Sequence, residues 1–376
     1  MKLLRFNTLV LLCFCFINLN ANNIGKKEFI KKVQKVYTAN DNVNVGINNS
    51  YGEVHIFGWD KSEVSIEVTI KVLANSESAA DNMFNRITIS FKGDKADIEA
   101  KTLIAKKNKK WWDDWIGSKS ENLEYSINYK VYLPEEGNLN LINKHGDAFI
   151  NGVEGNTDID LKYGNLQLDD NERELSLILG HGKAFLRNVN SMTGNIKHAE
   201  MNCNEAESLI LVTAYSTINI ESCERLEVES KHCTYNIDNV RVFINSGKYD
   251  NFNIEFLDNV TMNTQFTDLN VEKLNDACNL TFNYGGASFN EVSDDFKTIV
   301  VNGQSADFEF VMDSDADFKL NAKSNHGDID CFPGIQLMTS KGKGPAKELI
   351  GYFLNKASSS NIDVNINYGS FDLKRF

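Results

Sequence analysis

Tyr163-Gly164-Asn165-Leu166-Gln167-Leu168 and, eighteen residues on, His181-Gly182-Lys183-Ala184-Phe185-Leu186 share one pattern: a ring residue, a small residue, a variable residue, then apolar-x-apolar. The pattern also stands at Tyr51-Gly52-Glu53-Val54-His55-Ile56 and at His145-Gly146-Asp147-Ala148-Phe149-Ile150. Followed outward, its first position falls at Tyr51, His145, Tyr163, His181, His198, Tyr215, His232, Tyr249, Phe266, Tyr284, Ser305, His326 and Tyr368. From His145 the steps are 18, 18, 17, 17, 17, 17, 17, 18, 21, 21 and 42 residues. Three and five residues after each such anchor every residue suits a core, from Val54 and Ile56 to Phe371 and Leu373, counting Tyr and Cys as apolar.

Positions three and five past the anchor share one face of a strand, because strand side chains alternate. Each unit therefore reads as strand, corner, strand, turn, too short for a pair of helices. The expected fold class is all-β: a parallel β-helix or solenoid of 17–21-residue coils, preceded by a β-rich N-terminal capping region. One such coil cannot bury its apolar face alone, and stacking makes the core continuous. Stacking also sets the anchors one above another, so the twelve ring anchors form a structural ladder of offset or edge-to-face pairs. His181, His198 and His232 could suggest zinc. They alternate freely with Tyr and Phe, which a ligand set would not allow, so neither metal nor cofactor is expected.

Composition agrees with ladders. The chain has 376 residues with 3 Pro against 48 Asn. Pro would remove donors from the strands, and Asn and Gly suit corners that need positive φ. Asn143, Asn165 and Asn283 are expected to bond backbone near the turns. Residues 1–21 read as a signal peptide, with Lys2 and Arg5 ahead of the apolar run Leu9–Ile17. That places the protein outside the cytoplasm: periplasm, outer envelope or medium. Removing those two bases takes the net charge from −13 to −15, which argues against nucleic acid as partner. No later segment is long and apolar enough to span a bilayer. Five cysteines remain, Cys203, Cys223, Cys233, Cys278 and Cys331, without C-x-x-C spacing. They read as small buried hydrophobes.

Residues 22–135 read as the first coil plus an insert and cap, and 136–376 as repeats. Alternation predicts strands over Val64–Val72 and Leu123–Leu133, and a short helix over Asn75–Arg86 capped by Ser76. A second short helix is expected near 345–357, from Leu349, Ile350, Phe353 and Leu354, covering an edge or the C-terminal coil. Trp111, Trp112 and Trp115 follow a lysine run and allow two readings: indoles that meet sugars or a membrane interface, or indoles that cap the first coil. Asp313-Ser314-Asp315-Ala316-Asp317 imitates the start of a calcium loop but lacks the Gly and Glu that an EF-hand requires, and reads as a solvated turn. No catalytic motif stands out.

Asn48–Asp60, Tyr129–Pro134 with Leu139–Ile150, the Trp-rich insert and the closing Asn367–Phe371 together resemble the secreted bacterial "putative adhesin" family of Bacteroidetes-type envelopes. The resemblance implies a β-helix-like fold outside the cytoplasm and brings no catalytic residues. Ala199–Phe266 depart from it, having lost most of the corner glycines. The expected function is that of a non-catalytic envelope or surface protein with a glycan or an envelope protein as partner. The alternatives are an envelope-sensing partner of a regulatory system and a glycan-processing enzyme on the same scaffold.

Overall fold

A computed structural model describes residues 26–105, 124–343 and 345–376. Residues 1–21, read above as a signal peptide, and Trp111, Trp112 and Trp115 lie outside the described residues. The described chain is nearly all β, with one α-helix, and forms two compact units that meet in sequence at Ser176 and Leu177.

The first unit holds β1 (Lys27–Thr38), β2 (Asn44–Ser50), β3 (Val54–Trp59), β4 (Glu63–Ala74), α1 (Glu77–Phe84), β5 (Ile87–Gly93), β6 (Asp97–Ile104), β7 (Glu124–Pro134), β8 (Asn138–Lys144), β9 (Ala148–Asn151), β10 (Thr157–Lys162) and the start of β11 (Leu166–Gly180). β2 with β3 is one coil. It stacks in parallel on β8 with β9, and β8 stacks on β10 in the same sense. The opposite edge of this coil is covered, β2 by β6 and β3 by β7. A bare edge would invite pairing with other chains, and the excursion between β3 and β7 supplies the cover. Val64, Ile66, Val68, Ile70 and Val72 of β4 are fully buried, as the alternation predicts. α1 forms where expected, and the Ser76 hydroxyl accepts the Ala79 N–H at its N-terminus.

The second unit holds β12 (Lys183–Lys197), β13 (Glu200–Ala214), β14 (Thr217–Lys231), β15 (Thr234–Lys248), β16 (Asn251–Val292), β17 (Thr298–Met312), β18 (Phe318–Cys331), β19 (Gln336–Lys343), β20 (Ala346–Phe353) and β21 (Asn361–Arg375). β12 to β16 stack in parallel with partners 17 residues apart, and β16 to β17 with partners 21 apart. The apolar positions past each anchor line the core: Met201, Ile218, Tyr235 and Phe252 are all buried.

One expectation fails at the C-terminal end. The segment near 345–357 is not a helix. Its Ala346–Phe353 part is β20, antiparallel to both β18 and β19. Its apolar spacing suits a helix, but the free ladder of β18 is the stronger claim on its backbone, and Gly351 in its middle weakens helix by about 1 kcal/mol. The 42-residue step from His326 to Tyr368 does not extend the stack in chain order. β21 turns back and lies between β17 and β18, parallel to both.

Candidate functional site

The ring ladder begins as a backbone problem. All thirteen anchors, Tyr51 through Tyr368, have φ between 51 and 66°. This left-handed region disfavours a bulky L-residue by about 1–2 kcal/mol. Asn and Gly were the residues expected to take it, yet among the described residues no Asn does so. The corner conformation is supported at many anchors by a bond to the next coil, whereas the His326 N–H donates to the Pro345 carbonyl. The Tyr51 N–H donates to the Lys144 carbonyl, the His145 N–H to Lys162, the His198 N–H to Ala214 and the Tyr249 N–H to Gln265, all at 2.8–3.0 Å. Ring stacking adds about 0.5–1.5 kcal/mol per pair.

In the first unit Tyr51, His145 and Tyr163 stack at 5.1 and 4.9 Å, with planes 13° and 8° apart. In the second unit seven rings run without a break: His181, His198, Tyr215, His232, Tyr249, Phe266 and Tyr284. Their centroids are 4.7–5.0 Å apart and their planes within 17° of parallel. The rings therefore lie face to face rather than edge to face. Ser305 interrupts the column, and His326 and Tyr368 form a further pair at 4.9 Å. The ladder is on the outside: Tyr215, Tyr249, Phe266 and Tyr284 are each 46–50% exposed. With faces covered by neighbours, ring edges are what solvent meets.

Two further columns flank the rings in the second unit, and neither was anticipated. Lys197, Lys231 and Lys248 each directly precede an anchor and are exposed. Lys231 and Lys248 line an open groove of about 620 Å³ with Thr213, Ser230, Gly247 and Gln265. On the other side Asn202, Asn219, Asn236, Asn253 and Asn270 form an amide ladder. From Asn219 onward each Nδ2 donates to the Oδ1 of the Asn seventeen residues earlier, at 2.8–3.2 Å, and the Asn202 amide donates to Glu200. That constant spacing was a readable signal. Asn143 does bond backbone as expected, donating to the Gly146 and Gly52 carbonyls, and the Asn165 amide donates to Asp147.

The first unit has a second ring cluster, also unanticipated. His55 stacks on Phe149 at 4.6 Å, and Tyr132 on Phe57 and Trp59 at 5.3 and 5.1 Å. Lys61 lies over Trp59 and Lys130 over Tyr132 and Phe57. The Trp59 indole N–H donates to the Glu63 carbonyl.

The five cysteines are unpaired, four of them buried. Burial pushes the Cys203 thiol up to about 12 and the Cys223 and Cys331 thiols up to about 11, so these three are protonated and poor nucleophiles at neutral pH. Among the described residues no group of three or more His, Cys, Asp or Glu is placed to hold a metal ion.

No family model matches the sequence, and no curated protein matches it. Among solved structures, the chain aligns with a crystal structure described as a "putative cell adhesion protein" from Clostridium sporogenes ATCC 15579. The alignment has 14% identity and a TM-score of 0.18, over 93% of this chain and all of that one.

Proposed function

We propose that the protein is a non-catalytic binding protein of the cell envelope, acting outside the cytoplasm as an adhesin-like surface for a glycan. The observation that carries this reading is the unbroken run of seven outward-facing rings. A contiguous row of exposed rings is the kind of surface that marks an interaction site rather than a solvated face. Its neighbours suit sugars: the Asn column offers amide donors and acceptors, and the lysine column favours acidic units. The leader and the family resemblance support the location.

The test is a glycan array with the purified full chain, comparing the native protein with Tyr215→Asn/Tyr249→Asn. Asn tolerates the left-handed corner, so the coils persist while two rings are lost. Binding without turnover that falls at least tenfold in the variant supports the reading. Equal binding by both proteins, or depolymerisation of the bound glycan, refutes it.

A further inference from the structure

In the second unit one coil sits out of chain order. Asn361–Arg375 fills a slot between two strands that precede it in the chain. Thr298 pairs with Asn361, and Asn361 in turn with Lys319. Ile362, Val364, Ile366, Phe371 and Leu373 are buried there, so the segment supplies a full share of core.

The connection ahead of the slot does not hold it open. Ser293–Lys297 links β16 to β17 across one coil spacing. Asp313–Asp317 links β17 to β18 across two, because β21 lies between. Both turns have five residues and the same closing bond, from Phe296 N–H to the Ser293 carbonyl and from Ala316 N–H to the Asp313 carbonyl. Occupancy by β21 is therefore what separates β17 from β18. The hinge leading into β21 is strained: Leu354 is exposed and has φ 57°, a conformation that a bulky L-residue adopts at a cost.

We propose that Asn361–Arg375 is an exchangeable strand, and that a second copy of this chain donates its own to the slot, linking copies by strand exchange. The donated strand would make the same contacts as the resident one. The Ser370 N–H and hydroxyl would donate to Asp307, the Asn321 amide would donate to Asp363, and Lys374 would pair with Glu309. Only the hinge changes, and the Leu354 strain is free to relax. Exchange of an identical element is a low-cost route to association.

Variants of the full chain that each add one cysteine to the five native ones test this, with links mapped by position. Asp307→Cys and Ser370→Cys sit on opposite sides of the slot wall at neighbouring-strand distance, which a disulfide spans. The two variants are mixed, incubated in mild denaturant, returned to native buffer and oxidised, and the links are mapped by mass spectrometry. Exchange predicts a covalent dimer joined 307–370, rising with protein concentration and at least fivefold more abundant than 307–307 or 370–370 links. Equal abundance of the three links overturns the proposal. So does the absence of dimer when Asp307→Cys/Ser370→Cys within one chain closes its own link. The pair Asn321→Cys and Asp363→Cys, direct partners on the other wall, must give the same answer.

Discussion

The corners of the first unit and those of the middle coils of the second turn the chain through the same left-handed residue, yet they fill the space around it in opposite ways. In the first unit the residue after the ring is Gly52, Gly146 or Gly164. A Cβ on Gly146 would lie 2.0 Å from the Gly52 carbonyl oxygen, and one on Gly164 2.1 Å from that of Gly146. Backbone packs on backbone there, the Asn143 amide donating to the Gly52 and Gly146 carbonyls and the Asn49 amide to the Ile127 carbonyl. In the middle coils the same position carries Ser216, Cys233, Asp250 and Thr267, all buried. Room for them comes from two residues before the ring, where Thr213, Ser230, Gly247 and Thr264 replace larger groups. A Cβ on Gly247 would meet the Asp250 carboxylate at 2.6 Å. One backbone solution is thus compatible with a tight dry corner or with a wet-chemistry corner buried in protein.

The comparison breaks most sharply at Gly146. Gly146→Ala forces two coils apart or abandons the corner, and is expected to cost more than about 3 kcal/mol. The reciprocal change, Ala199→Gly, removes a methyl from a roomier corner and loosens the unfolded chain, for about 1 kcal/mol. Urea midpoints of the two variants would check the contrast. A Gly146→Ala protein as stable as Ala199→Gly would show that backbone contact does not define the first kind of corner.

Asp250 sharpens the second kind. It accepts the Cys233 N–H and the Ser230 hydroxyl, each at 2.8 Å. Desolvation holds its carboxyl above the usual range, although those donors pull the other way. A folded-state value above the unfolded one means that the folded state keeps its proton longer. The contribution to stability is then present below the unfolded value near 4 and lost as pH rises through the folded value. Asp250→Asn is expected to flatten that part of the stability–pH curve and to change stability at pH 7 by less than about 1 kcal/mol. Asp250→Ala leaves the Cys233 N–H buried without an acceptor and should cost about 2 kcal/mol. Denaturant titrations from pH 3.5 to 7 would decide, and an unchanged slope in Asp250→Asn would remove Asp250 as its source.

Much of this was legible from residues alone, because the period of a stacked coil writes itself into the chain. Met201, Ile218, Tyr235 and Phe252 could be placed in the core from spacing only. What spacing could not give was the order of the last coils. His326 and Tyr368 carry the same pattern whether the second coil follows the first or slips in beneath it, since both orders present identical side chains to the core. The 345–357 segment misled because Leu349, Ile350 and Phe353 satisfy a helical stripe, while the demand for a strand comes from β18, remote in sequence. The ring ladder was readable as a column, but its left-handed backbone was not, since Tyr, His and Phe are poor residues for that region and only the inter-coil bonds make it tolerable.

The ring itself is the next smaller effect. Tyr215→Ala removes stacking on His198 and His232 and places a residue without stacking in the same strained region, for about 1–2 kcal/mol. Tyr215→Asn should recover part of it, because Asn accepts left-handed φ. If both variants lose the same amount, stacking and not backbone strain governs the corner, and the two kinds of corner differ only in what lies beneath the ring.

The smallest effect separates the outer faces of the two units. Four residues past the anchor, the first unit carries His55 on Phe149, a ring pair, and the second carries the Asn202–Asn270 amide ladder. Asn236 donates to Asn219 and accepts from Asn253, both at the exposed surface, where water competes for each group. Asn236→Ala should therefore cost only about 0.5–1 kcal/mol, and two such changes more than one coil apart should add. Asn219→Ala with Asn236→Ala removes a shared bond and should cost less than the sum. A double-mutant cycle by urea denaturation measures this directly. Strict additivity for the adjacent pair would mean that the amides are solvated individually and that the ladder is a register of spacing without mutual stabilisation.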